Sequence, residues 1–166
     1  TSNSSSEVLI QYFMGWFLEQ MRTNTTSIKE RIVWFLHSHM PTRHTLLEHS
    51  EYMYYQNALY RYYAFGSFKT LFRKLIADNA MLIYLDNGTN QYQSPNENFA
   101  REMFELYTIG RGQQVNDGDY TNYTEADIKA ATRVLTGYMK PDFEEDDTFN
   151  TIDIETGLPT GRMHSS

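Results

Sequence analysis

Cysteine is absent from this chain of 166 residues. That excludes disulfide staples and thiolate metal sites within it. It does not assign a compartment, because exported chains also avoid cysteine. No run approaches the roughly 20 apolar residues that cross a bilayer. The opening Thr1-Ser2-Asn3-Ser4-Ser5-Ser6 has neither Met nor a basic-then-apolar leader, so it reads as the interior of a longer precursor and not as a signal peptide. A basic face is also missing. The formal net charge is -7. Asp142, Glu144, Glu145, Asp146, Asp147, Asp153 and Glu155 account for the whole excess, and the rest of the chain is close to neutral. Nucleic-acid binding needs a cationic surface to release counterions, and that class is set aside. There is no internal repeat, nucleophile elbow, Walker loop or zincin motif. Asn-x-Ser/Thr occurs at Asn3, Asn24, Asn87 and Asn122, and reads as chance in an Asn- and Thr-rich chain.

What the chain does contain is apolar and aromatic. Hydrophobic residues make up 40% and aromatic residues 15%, with 13 Tyr and 10 Phe. At this length that suffices for the core of one ordinary domain. Leu9, Phe13, Trp16, Phe17 and Met21 recur at helical spacing and predict a helix over 7–22. Ser27-x-x-Glu30 reads as a capping box opening a second helix through Trp34 and Leu36, closed before Pro41. A third helix is expected over 48–63. Tyr52, Tyr54, Tyr55, Tyr60, Tyr62 and Tyr63 cover most of its circumference, which makes it central. Ser67 caps a fourth helix, and Asp78 or Asn79 a short fifth one. Ser94, Pro95 and Glu97 suit N-cap, N1 and N3 of the next helix, which stops at Gly110. Thr124-x-x-Asp127 opens the last, ending at Gly137. The expectation is an all-α, single multi-helix domain of about seven helices. Residues 1–6 read as a linker, 7–139 as the helical domain, and 140–166 as an acidic, irregular, loop-rich tail whose charges are solvated.

The densest polar signal runs from Asp86, Asn87 and Asn90 to Asn96, Glu97, Asn98, Arg101 and Glu102. A solvated loop does not need so many hydrogen-bonding groups, whereas a rigid polar cluster or a binding site would use them. Counting Asp86 as position 1 of a calcium loop puts Asn90 at 5 and Glu97 at 12. Gln91 stands where the tight turn wants Gly, and Gly88 supplies no side chain, so a turn of self-bonding Asx residues is the competing reading. Glu97, Arg101 and Glu105 lie four apart on one helical face, with Asn98 and Glu102 in the neighbouring row. Phe99, Met103, Phe104, Leu106 and Tyr107 leave little polar face, so some of these charges must be partly buried and partnered. His37, His39, His44 and His49 fall within thirteen residues, but none forms an i,i+4 pair inside one helix. His39, beside a helix end, is the candidate for chemistry near neutral pH. The tyrosine row can stack sugars or polymer chains, with core packing as the alternative.

Several motifs occur in one order: Trp34-Phe35-Leu36-His37-Ser38-His39, Asn57-Ala58-Leu59-Tyr60-Arg61, Ala64-Phe65-Gly66-Ser67-Phe68, Asp78-Asn79-Ala80-Met81-Leu82-Ile83-Tyr84-Leu85-Asp86-Asn87, Asn96-Glu97-Asn98-Phe99-Ala100-Arg101-Glu102, Tyr123-Thr124-Glu125-Ala126-Asp127 and Thr136-Gly137-Tyr138. Together they resemble the bacterial domain of unknown function 1800 (DUF1800) family over roughly Tyr12 to Tyr138. The resemblance implies a mostly helical, usually exported protein, acting in the periplasm, at the cell surface or secreted, often beside a sulfatase-like partner. It also implies that this chain is an internal fragment of a larger family domain, with the remainder of its own polypeptide as a partner. The family offers no established catalytic residues. Asn79 stands where it often has Pro, and Tyr138 where it often has Trp.

Two readings follow. The first is an exported, metal-assisted hydrolase acting on an extracellular polymer or ester. His39, Arg101 and Glu102 are its candidate catalytic groups, and Asp86, Asn90 and Glu97 its ligands for a divalent cation such as Ca or Zn. The second is a non-catalytic helical cell-envelope scaffold or interaction protein. In it His37, Asn57, Arg61, Asn87, Asn96, Asn98 and Glu105 form an internal hydrogen-bonded network with the same residues.

Overall fold

The computed structural model describes residues 2–24, 26–47, 49–139 and 151–163. Among them seven α-helices carry the fold: α1 (Ser2–Thr23), α2 (Lys29–His39), α3 (Glu51–Tyr62), α4 (Phe68–Leu75), α5 (Asn79–Tyr84), α6 (Asn98–Glu102) and α7 (Glu125–Val134). The all-α expectation holds, in one mostly helical domain. α1 takes in Ser2–Ser6, so that stretch is helix and not linker.

Local caps decide several starts. The Ser67 side chain accepts from Thr70 N, that of Asp78 from Met81 N, and Thr124 with Asp127 forms a reciprocal capping box. Two expected caps do not form. Ser27 Oγ reaches only Lys29 N, and Glu30 turns inward to Arg61. The helix expected from Ser94 starts at Asn98. Asn96 N is held by Asn90 Oδ1, which keeps Asn96 in the loop, and Asn96 Oδ1 then accepts from Asn98 N. Beyond α6 the chain widens into a π-helical turn, Met103–Tyr107.

Val33, Leu36 and Met40 near α2, Leu59 and Tyr60 on α3, Leu71 and Leu75 on α4, and Phe99 and Ile128 form one core. The tyrosines divide. Tyr52 and Tyr60 are buried, whereas Tyr54 and Tyr62 are exposed, so α3 is central on only part of its circumference.

Small antiparallel ladders complete the fold. β1 (Gln114–Asn116) pairs with β2 (Asp119–Tyr120) across Asp117-Gly118, where Gly118 adopts φ 70°. β3 (Tyr138–Met139) pairs with β4 (Arg162–Met163). The tail is thus not wholly irregular. Residues 151–163 dock on the helices: Gly161 N and Thr160 Oγ1 both donate to Ala77 O, and Lys74 pairs with Asp153 and Glu155. A Cβ at Gly161 would lie 2.2 Å from Leu82 Cδ1 and 3.1 Å from Ala77 O, so a larger residue there would displace the Leu82 side chain. The other tail acids, Asp142, Glu144, Glu145, Asp146 and Asp147, lie outside the described residues.

Candidate functional site

The candidate residues resolve into separate polar centres, each built between elements that local sequence signals position. The first joins α2 to α3. Arg61 makes a two-pronged pair with Glu30, one arm at 2.6 Å. Arg61 Nε donates to Asn57 Oδ1 at 2.6 Å, and Asn57 Nδ2 lies 2.9 Å from His37 Nε2. Protonation along this chain follows from its first member. A guanidinium only donates, so it fixes the Asn57 amide and turns the NH2 toward His37. His37 Nε2 must then accept, which requires a neutral ring. Burial, and then the Arg61 charge, push its pKa down to about 4 in agreement. The Arg61 guanidinium also sits 4.8 Å from the Trp16 ring centroid.

The second centre lies beside it. Thr42 Oγ1 donates to Gln56 Oε1 at 2.8 Å, and Gln56 Nε2 donates to Asp78 Oδ2 at 2.9 Å. Asp78 also caps α5 through Met81 N at 3.0 Å. Burial pushes the Asp78 carboxyl up to about 7, against the pull of those hydrogen bonds.

The third centre joins α6, its π-turn and α7. Arg101 holds Glu125 through two arms of 2.7 Å and lies 3.4 Å from Glu97 and 3.6 Å from Glu105. Glu105 in turn accepts from Tyr123 Oη at 2.6 Å and from Arg111. Burial alone would raise the Glu105 pKa, but the Arg111 and Tyr123 hydrogen bonds outweigh it and hold it low. Glu102 is half-buried, and burial followed by the Glu105 charge raises its pKa. His39 faces elsewhere: its Nε2 donates to Tyr107 O at 3.1 Å and its ring stacks on Phe35.

The loop after Leu85 is a fourth centre. Asn90 is buried; its Nδ2 donates to Thr132 O at 2.8 Å and its carbonyl accepts from Gly137 N at 3.3 Å. Asn96 Nδ2 reaches Thr89 Oγ1, and Asn98 Nδ2 reaches Leu85 O. Asn87 is 1% exposed, and both of its amide atoms lack hydrogen-bond partners. Asp86 is exposed in a left-handed conformation, φ 57°.

The expected cation ligands do not fit a hard cation. Asn90 Oδ1 is taken by Asn96 N, Glu97 faces Arg101, and Asp86 points to solvent. Among the described residues no group of three or more His, Asp or Glu could hold a metal ion. His37 and His39 bond to different partners on different sides, so they share no centre either.

Several of these residues were not legible as site residues. Glu30 looked like half of a capping box, and its real partner lies 31 positions away. Gln56 and Thr42 carry no motif. Asp117-Gly118, by contrast, is a hairpin signal that could have foretold the turn bringing Glu125 and Tyr123 beside α6.

The family model described as "Protein of unknown function (DUF1800)" matches residues 1–157. No curated protein and no solved structure matches the chain.

Proposed function

We propose, for a chain that belongs to the DUF1800 family of proteins of unknown function, a non-catalytic role as a helical scaffold or interaction protein. One observation carries this reading. Buried polar side chains of α2 and α3 are spent on one another along Glu30, Arg61, Asn57 and His37. A buried, mutually satisfied chain of this kind locks helices in place and presents no free acid, base or nucleophile. Apolar groups point the other way: Leu18, Trp34 and Phe35 are exposed on α1 and α2, as interaction surfaces require. On this reading the protein works outside the cytoplasm, against the remainder of its own polypeptide or a sulfatase-like protein; that setting rests on the family resemblance alone.

The test is the stability of Arg61→Ala and Asn57→Ala. The scaffold reading expects both to melt well below the parent. Unchanged melting in both would remove it.

A hydrolase remains the second reading because of one group. Glu102 is half-buried, holds its proton more firmly than an ordinary carboxyl, and lies near Arg101 and the Tyr107 hydroxyl. On this reading it acts as a general acid on an ester or polymer. Turnover of 4-nitrophenyl acetate that disappears in Glu102→Gln, at unchanged melting temperature, would establish this reading over the first.

A further inference from the structure

Trp16 and the tyrosines of α3 also form a surface feature. α1 and α3 leave an open cleft of about 330 Å³ between them, within the roughly 300–1,000 Å³ usual for small-ligand sites. Leu9, Tyr12, Phe13 and Trp16 of α1 line it, facing Tyr54 and Tyr55 of α3, with Ser50 and Glu51 at the start of α3. Ser50 supplies an independent sign of a ligand. It is only 6% exposed, and its hydroxyl has no hydrogen-bond partner. A buried hydroxyl left unpaired is unfavourable, and a polar group entering the cleft would relieve that.

We infer that this cleft binds a neutral carbohydrate, one pyranose unit of a glycan chain. The sugar's C–H face stacks on the ring of Tyr12, which is 73% exposed and electron-rich on its face. Its hydroxyls bond to Ser50, Glu51 and the tyrosine hydroxyls. Other ligand classes fit less well. An anion would meet Glu51 with no basic side chain among the lining residues. A hydrocarbon chain would leave the Ser50 hydroxyl unpaired. The open mouth suits a chain that continues past the bound unit. The inference is separate from the scaffold reading, because no cleft residue belongs to the Glu30-to-His37 chain.

Trp16 reports on the site. The chain has two tryptophans, and Trp34 is exposed, so a Trp34→Phe background isolates the Trp16 emission. Cellohexaose, chitohexaose and maltohexaose are titrated separately, with choline chloride as the cation probe. At least one hexasaccharide should give a saturable change. Ser50→Ala should weaken it about threefold to tenfold, the affinity equivalent of one hydrogen bond. The same variant should not lower the melting temperature, since it removes an unsatisfied group. Tyr12 is 73% exposed, so Tyr12→Ala should weaken binding and leave the fold intact. The inference is overturned by no saturable change up to about 10 mM of any hexasaccharide, well above a millimolar Kd. It is equally overturned by binding that survives both variants, or by a response to choline without one to sugar.

Discussion

Arg61–Glu30 and Arg101–Glu125 are both two-pronged, and each ties two helices together. Their surroundings differ. The Arg61 and Glu30 side chains are 16% and 6% exposed, those of Arg101 and Glu125 32% and 34%. Water still reaches the second pair and screens it. The first sits under Trp16 and Phe17, where Arg61 is the partner of the buried Glu30 carboxylate and also holds Asn57. The same chemistry is a lock in one place and a surface staple in the other. Burial, not geometry, sets the stakes.

The comparison can be broken most directly at Arg61. Arg61→Ala strands the Glu30 carboxylate in the core and should lower unfolding free energy by about 3–5 kcal/mol in urea titrations. A loss under about 1 kcal/mol would mean that the two pairs are equivalent after all.

The next effect is in pH. His37, depressed to about 4, is neutral when folded but protonates when unfolded below its ordinary value. Its contribution is therefore complete above about pH 6.5 and is lost as pH falls toward about 4. Asp78, raised to about 7, behaves oppositely. It keeps its proton when folded, so its contribution is complete below about pH 4 and is lost as pH rises toward about 7. The two should nearly cancel across that window. Asp78→Asn should uncover the histidine slope, a loss of about 3 kcal/mol between roughly pH 7 and 4. His37→Gln should uncover the reverse slope. Denaturation curves at several pH values check both, and parallel profiles in parent and variants would refute the assignment.

Smaller still is Arg101→Ala, expected to cost about 1 kcal/mol or less and to shrink as salt is added. Arg61→Ala should respond little to salt, so salt titration of the two variants sharpens the contrast. The smallest effect belongs to Glu102→Gln. With no strong partner to lose, it should change stability by no more than about 0.5 kcal/mol. A large loss would place Glu102 in the structural network instead.

Local chemistry was readable without a structure. Ser67, Asp78 and Thr124 cap helices because each finds its partner within three residues. Pro41 closes α2, and apolar spacing foretold a helical domain whose polar residues are drawn inside. Asn90, expected as a cation ligand, spends its amide on Thr132 O and Asn96 N. What failed did so for lack of a distant partner. Glu30 could not be taken from its cap until Arg61 was beside it. The calcium-like loop could not be discounted until Asn96 N was seen on Asn90 Oδ1.

The sequence alone determined helix content, most boundaries and the family, because propensity, capping and amphipathic periodicity act within one or two turns of chain. Only the tertiary structure decided which carboxylate meets which arginine, that Asp153 of the tail docks on Lys74, and that α1 and α3 frame a cleft. Those outcomes depend on distances between residues far apart in the chain, which no local pattern encodes.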